Sequence, residues 1–375
     1  MWRVAPNAKP YLRVRSRPNG DILGGFLPGK ELNVLGIENN WARLQTADNL
    51  TAWVSAQYIV RDVEPTPVAY RKIGIHLHIG NNIEACLQLY SDCFQAGKPL
   101  PIAVVINNVG LANAIKRVSP PTFVVFRGGI TGDALDVLDL TQNNTDANIV
   151  AGRKRFEQRY TPCNADAWQI ANEHYDKGHE PWKVKAMAEF YVGAMFAAEA
   201  KDVKITVGDF STGTPEDEDL PLLAPMLQKA NDDGHYLNYH SYAAPGVFDM
   251  TYAAEWFALR FERIIRGYPK LMVVLGEAGG FGQNGPDPMS LFRQLQAMLA
   301  TNANVIGAAL FTGNAAPPWS TNGCNVDPYL TEIGLWHRSL GQSSMMRMPT
   351  SKTIQMKWRS CGHVSIGRSR RRNRS

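Results

Sequence analysis

The sequence predicts an α/β protein in two parts, a (β/α)8 TIM barrel preceded by a small N-terminal all-β barrel. Three observations carry this expectation. From Ile73 onward, apolar runs of strand length alternate eight times with longer segments of helical period. Residues 11–60 are instead short β-type runs broken by PNG, GG, PGK, ENN and DN. Between the two lies VEPTPVAYRK, whose two prolines mark a linker.

Length and composition set the bounds. With 375 residues and 45% hydrophobic content, the chain can bury one large core and a small satellite. The expected division is 1–62 for the β module, 63–71 for the linker, 72–342 for the barrel and 343–375 for a basic, disordered tail. The net charge of +5 belongs to that tail. From Ser343 onward there are nine Lys or Arg and no acid, which leaves −4 on residues 1–342. Attraction to nucleic acid or another anionic surface is therefore expected of the tail alone. No window approaches the roughly eighteen consecutive apolar residues of a membrane span, and MWRVAPNAKPYLRV has no apolar signal core. The expectation is a soluble chain with no visible export route. The five cysteines (Cys86, Cys93, Cys163, Cys324, Cys361) form no CxxC pair, so neither a disulfide framework nor a zinc ribbon is encoded. Cys86 and Cys93, seven apart on one helical face, read as buried thiols.

The N-terminal module is justified by alternation in ELNVLGI and WARLQ between closely spaced turn signals, the pattern of a small closed β structure. The order of its parts resembles bacterial Src-homology-3-like domains: LRVRSRPNG at the start, FLPGKELNVL, Trp41 before a strand, then WVSAQYI with Trp53 and Tyr58. That resemblance implies attachment to a cell wall or another polymer, and with it an extracellular or wall-associated setting. A packing appendage whose aromatics only fill a small core is the plainer alternative.

The barrel elements follow in order. KIGIHLHI, PIAVVIN, TFVVF, AWQIAN, VKITV, YLNYH, LMVVLG and VIGAALF are continuous apolar strands, each succeeded by a helical segment, as a parallel sheet covered on both faces requires. A doubly wound open sheet shares most of this pattern. The closed barrel is preferred because no Gly-rich phosphate loop follows the first strand. Chemistry in such a barrel sits at the C-terminal strand ends. In order these are His76 and His78, Asn107-Asn108, Arg127, Asn172-Glu173, Asp209, His240 and Tyr242, Glu277, and Thr312 with Asn314.

Glutamates on the fourth and seventh strands, the first directly after an asparagine, resemble the clan A glycoside hydrolases over roughly residues 72–340. Carried over residue by residue, the resemblance implies that Glu173 is the acid/base, Asn172 a contact of the sugar 2-hydroxyl and Glu277 the nucleophile. His240 and Tyr242 in NYHSYA match the family's His-x-Tyr, whose Tyr commonly hydrogen-bonds the nucleophile. Two carboxyl groups suit this chemistry because one attacks the anomeric carbon while the other, protonated, donates to the leaving oxygen. Proximity and uneven burial are expected to keep one ionised and one protonated near neutral pH. The chain departs from the family where the eighth strand ends FTGN without a tryptophan platform, leaving Trp319 as a substitute, and Arg127 has no secure counterpart. Tyr175, Trp182 and Phe281 are further loop aromatics able to stack on sugars or to pack the loops.

Two other classes compete. His76 and His78 form an H-x-H that resembles the metal-dependent amidohydrolases, yet the fifth strand brings no histidine and the eighth no aspartate, so that ligand set is incomplete. The two histidines are better placed as hydrogen-bonding groups on the cleft floor. The third class is a carbohydrate-binding barrel without turnover. Asp209 reads as structural or as a helix cap, and PEDEDLP as a solvated loop. The sequence thus points to a retaining glycosidase acting on β-linked oligo- or polysaccharide, needing no metal or organic cofactor.

Overall fold

The computed structural model describes residues 2–4, 8, 11–27, 30–45, 51–61, 71–78, 80, 82–129, 138–175, 180–280, 287–314 and 325–340. The chain divides into two compact units, 1–340 and 341–375. The expected basic tail, most of the linker, Phe281 and Trp319 lie outside the described residues.

The N-terminal module contains β1 (Trp2–Val4), β2 (Leu12–Arg15), β3 (Ile22–Phe26), β4 (Glu31–Leu32), β5 (Val34–Glu38), β6 (Trp41–Gln45), β7 (Thr51–Ser55) and β8 (Ile59–Arg61). They form an antiparallel sheet ordered β3-β2-β7-β6-β5 and a smaller one ordered β4-β1-β8. Period-2 alternation puts Ala42 and Leu44 of β6 on the same buried side as Ala52 and Val54 of β7. With Val4, Leu12, Val14, Leu32 and Ile59 they make a core of the module's own.

The second part contains β9 (Ile73–Leu77), β10 (Ile102–Ile106), β11 (Phe123–Arg127), β12 (Ala167–Gln169), β13 (Thr206–Phe210), β14 (Tyr236–Tyr242), β15 (Met272–Gly279) and β16 (Val305–Gly313). Between and after them run α1 (Ile83–Gln95), α2 (Val109–Val118), α3 (Thr145–Arg159), α4 (Pro181–Glu199), α5 (Leu220–Asp233), α6 (Phe261–Ile265), α7 (Pro288–Leu299) and α8 (Leu330–Ser339). The strands are all parallel, in the order β12-β11-β10-β9-β16-β15-β14-β13. A bridge between Trp168 and Ile205 joins the two ends, with the Trp168 N–H donating to the Lys204 carbonyl at 3.0 Å. That bridge closes the sheet, which excludes the doubly wound alternative.

Closure creates two cores. Ile102, Val104, Val125, Val274 and Ala309 form one cluster inside the barrel. The other faces of the same strands, with Ile73, Ile75, Leu77, Val207, Leu237 and Leu275, pack against the helices. Cys86 and Cys93 are buried there as free thiols, as their spacing predicted. Local chemistry sets the helix ends. Asn108 accepts from Leu111 N–H at 2.8 Å, so this strand-end residue is the cap of α2, and α5 stops at Gly234 with φ +73°. Among the described residues no helix is long and apolar enough to cross a membrane.

The α3–α4 contact is made at the level of the backbone. A Cβ on Gly152 would overlap the Phe190 carbonyl oxygen, and one on Gly193 the Ile149 carbonyl oxygen. Gly152→Ala gains about 1 kcal/mol of helix propensity. Overlap with a carbonyl that cannot rotate away should outweigh it, for a net loss of about 1–3 kcal/mol. Chemical denaturation of the variant checks this, and unchanged or raised stability would mean that the helices separate freely.

Candidate active site

Side-chain alternation along β14 gathers the first part of the site. Leu237 and Tyr239 belong to the core facing the helices, so Asn238, His240 and Tyr242 share the opposite, barrel-facing side. β15 cannot follow strict alternation. Val274 points into the barrel and Leu275 away from it, so a regular strand would turn Glu277 toward the helices. The register with β14 slips at this point. Tyr239 pairs with Leu275 and His240 with Glu277, which leaves Gly276 as a one-residue bulge. The bulge turns Glu277 inward, beside His240. A second irregularity lies on β13, where Val207 pairs with Leu237 but Phe210 with Tyr239. The extra residue falls at Gly208-Asp209, whose φ values are +85° and +44°.

Glu173 follows β12 with φ +45°, a left-handed conformation that non-glycine residues rarely adopt. Its N–H donates to the Asp209 carbonyl at 3.0 Å. Its Oε1 lies 2.6 Å from His240 Nδ1. Glu277 is held from two sides, by Tyr242 OH donating to Oε2 at 2.9 Å and Arg127 reaching Oε1 at 3.4 Å, and His76 Nε2 lies 3.9 Å from Oε1. His240 Nδ1 is also 3.5 Å from Glu277 Oε2. One oxygen of each glutamate and a His240 ring nitrogen all fall within 4.8 Å of one another. The two carboxylates are the more open members, with side chains 27% and 12% exposed, while both imidazoles are fully buried.

The charges follow from this geometry. Burial pushes the Glu173 carboxyl up, but the positive charge of His240, its hydrogen bond and Arg127 outweigh burial and hold it below 4.5. Burial pushes His240 down, and the charges of Glu277 and Glu173 together with the Glu173 hydrogen bond more than offset it, so its pKa rises above 6.5. His76 is driven by burial to about 3, despite the charge of Glu277, and is a neutral imidazole. The Glu173 shift runs opposite to the one expected of a carboxyl kept protonated near neutral pH. The contact thus biases Glu173 toward its ionised form and His240 toward its protonated form.

Most of the anticipated residues converge here. Glu173, Glu277, His240, Tyr242 and His76 form one cluster, although both rings sit beneath the carboxylates and meet protein groups. Asn172 adjoins Glu173, nearly buried, with Oδ1 3.5 Å from Gln169 Nε2. His78 is half-buried one residue beyond β9, its backbone tied to Gly313 and Asn314. Tyr175 is buried and donates to Asp219, so it is not a surface for stacking on sugars. The acidic run is not simply solvated either, since Asp219 takes that hydroxyl while Asp217 pairs with Arg260 at 3.3 Å and with Arg263 at 2.5 Å. Arg127, without a counterpart in the sequence reading, is the cation at Glu277. Asp209 caps no helix and is a buried acceptor for Tyr191, Thr206 and Asn238. Asn238 is missed by the sequence reading, although a polar residue two before His240 in an otherwise apolar strand signals an inward-facing role.

Among the described residues, the group with three potential metal ligands is Glu173, His240 and Glu277. Its imidazole is already engaged by a carboxylate at 2.6 Å. His76 and His78 join no such three-ligand group among the described residues.

Residues 10–60 match the bacterial SH3 domain family. No curated protein sequence matches the chain. Solved structures similar to it include a glucosidase from Croceicoccus marinus, 12% identical over 69% of this chain and 63% of the other, with a TM-score of 0.45. A glycoside hydrolase family 5 enzyme from Prevotella bryantii is 12% identical over 73% of this chain and 98% of the other, with a TM-score of 0.45. An endo-beta-1,3-glucanase from Pseudomonas viridiflava is 13% identical over 72% and 98%, with a TM-score of 0.40. The chain thus spans just under two thirds of the glucosidase.

The three shifts give stability a defined pH dependence. A raised His240 pKa means a stabilisation fully present below 6.5 and lost as pH rises through the raised value. A lowered Glu173 pKa means one present above 4.5 and lost as pH falls through the lowered value. His76 acts in the reverse sense to His240, with stability full above 6.5 and lost as pH falls toward about 3. In pH-dependent unfolding, His240→Gln should abolish the loss on the alkaline side and His76→Gln should reduce the loss on the acid side. Parallel curves for wild type and either variant would contradict these assignments.

Proposed function

We propose that the chain is a retaining glycosidase that cleaves β-linked oligo- or polysaccharide, with Glu277 as nucleophile and Glu173 as acid/base. The observation carrying this reading is the pair of carboxylates at the ends of β12 and β15, with oxygens within 4.8 Å of each other. Retaining enzymes place their carboxyl groups about 5–5.5 Å apart, and inverting ones about 6.5–9.5 Å to admit a water. The close spacing favours direct attack by a carboxylate.

The chemistry then follows from the contacts. Tyr242 and Arg127 hold the two oxygens of Glu277 and aim the carboxylate. Glu277 forms an ester bond to the anomeric carbon as the glycosidic bond breaks. The departing oxygen takes a proton from Glu173. That proton is stored one hydrogen bond away on His240, and the arrival of an apolar sugar face, which desolvates the carboxylate, moves it to Glu173. In the second step Glu173 takes a proton from the water that hydrolyses the ester, which frees the Glu277 carboxylate, and passes that proton back to His240, restoring the starting state. In this reading Asn172, next to Glu173, contacts the sugar 2-hydroxyl. Residues 1–62 then serve as the polymer- or wall-attachment module that their family suggests.

Rescue by azide separates the two roles. Glu277→Gly should lose at least ~10²-fold activity on an aryl β-glycoside, and azide should restore turnover with an inverted glycosyl azide as product. Glu173→Ala should keep its first step on substrates with good leaving groups, and azide should give the retained product. Identical stereochemistry from both variants, or full activity in Glu277→Gly, overturns the assignment. A folded wild type that binds glycans without turnover would point instead to a carbohydrate-binding barrel, and activity abolished by chelator to a metal-dependent one.

A further inference from the structure

We propose that Asn238, acting with Asp209, is a positioning residue that fixes the separation of Glu173 and Glu277 by locking the two β-bulges flanking its strand. For its effect on turnover this rests on the glycosidase reading; the geometry stands independently. Asn238 lies on β14 between the bulge of β13 and the bulge of β15, and its amide is bonded to both. Its Nδ2 donates to Asp209 Oδ1 at 2.7 Å, and its Oδ1 accepts from Gly276 N–H at 3.0 Å. Gly276 immediately precedes Glu277. Asp209 in turn accepts the N–H of Glu173 on its carbonyl at 3.0 Å. An unbroken run of short hydrogen bonds therefore connects the backbone at one glutamate to the backbone at the other.

The run is buried and directional. Asn238 and Asp209 are fully inaccessible to solvent. Tyr191 OH at 2.7 Å and Thr206 Oγ1 at 3.0 Å take two further acceptor positions of Asp209. A side chain with one donor arm and one acceptor arm in a fixed plane can serve both bulges at once, and an amide does so without taking up a proton. Leucine has the same shape and neither arm. Aspartate accepts from Gly276 but turns a carboxylate against Asp209. The space is equally specified, because a Cβ on Gly276 would overlap the Asn238 amide. The bulge on β15 is what turns Glu277 into the barrel, so the amide that ties it down controls where that carboxylate stands.

The test exchanges the two partners. Asn238→Asp alone places two carboxylates in contact. With Asp209→Asn added, the amide and the carboxylate have traded places. The amide now on β13 donates to the carboxylate on β14, which still accepts from Gly276 N–H, and Tyr191 still has an oxygen to bond. Circular dichroism first establishes that each variant is folded at the assay temperature. The readouts are kcat and KM on an aryl β-glycoside and the NMR shifts of the His240 ring, assigned by its loss in His240→Gln. That ring touches both glutamates and so reports their relative placement. The single variant should lose on the order of 10²-fold in kcat with KM little changed, as a displacement of about 1 Å would produce. Its His240 shifts should move, and the double variant should recover both. A folded single variant with wild-type kcat and wild-type ring shifts, or a double variant as impaired as the single, overturns the proposal. If the wild type cleaves no glycoside, the glycosidase reading fails, and the ring shifts alone decide: movement in the single variant with recovery in the double supports the positioning role, and unmoved shifts refute it.

Discussion

Two carboxylates with oxygens within 4.8 Å of each other repel strongly when water is scarce, and the site depends on how this chain relieves that repulsion. The answer is a cation for each. Arg127 comes from β11 to Glu277, and His240, its pKa raised by the two glutamates, lies 2.6 Å from Glu173. His76, the third basic group, is kept neutral by burial at about 3 and so adds no charge. Charge balance thus favours an ionised Glu173 beside a group that can hold a proton.

Such a balance needs fixed geometry, and the barrel supplies it through departures from ideal strands. Regular alternation on β15 would point Glu277 toward the helices. The extra residue at Gly276 reverses this, and the one at Gly208-Asp209 brings a carbonyl under the N–H of Glu173. Bulges leave backbone groups unpaired, and a buried unpaired group costs about 1–3 kcal/mol. Asn238 meets that requirement at Gly276. The same hydrogen bonds that satisfy the backbone link the bulge before Glu277 to the one beneath Glu173.

The architecture was legible because it rests on coarse patterns. Continuous apolar strands with intervening helical periods required a sheet covered on both faces, and the strand ends pointed to Glu173, Glu277, His240 and Tyr242, which the fold brings into one cluster. What the sequence hid is finer. In LGEAGG nothing distinguishes a bulge glycine from an ordinary one, although glycine inside a strand is a known bulge signal. Asp209 resembles a cap because a lone acid at a strand end usually is one, and its role depends on Tyr191 and Asn238, remote in sequence. Arg127 could be placed at a strand end but not paired, since its partner is 150 residues away. The direction of the Glu173 shift was not legible because burial alone raises a carboxyl, and the opposing imidazole lies 67 residues further on.

The central claim is that Glu277 attacks the anomeric carbon. An activated 2-deoxy-2-fluoro β-glycoside slows hydrolysis of the ester more than its formation, so a retaining enzyme accumulates the glycosyl adduct. Peptide mass spectrometry after such treatment tests the claim most directly. This account predicts a single added glycosyl group on the peptide containing Glu277 and none on the peptide containing Glu173. An adduct on Glu173, or turnover of the parent glycoside to the inverted anomer without any adduct, would contradict it.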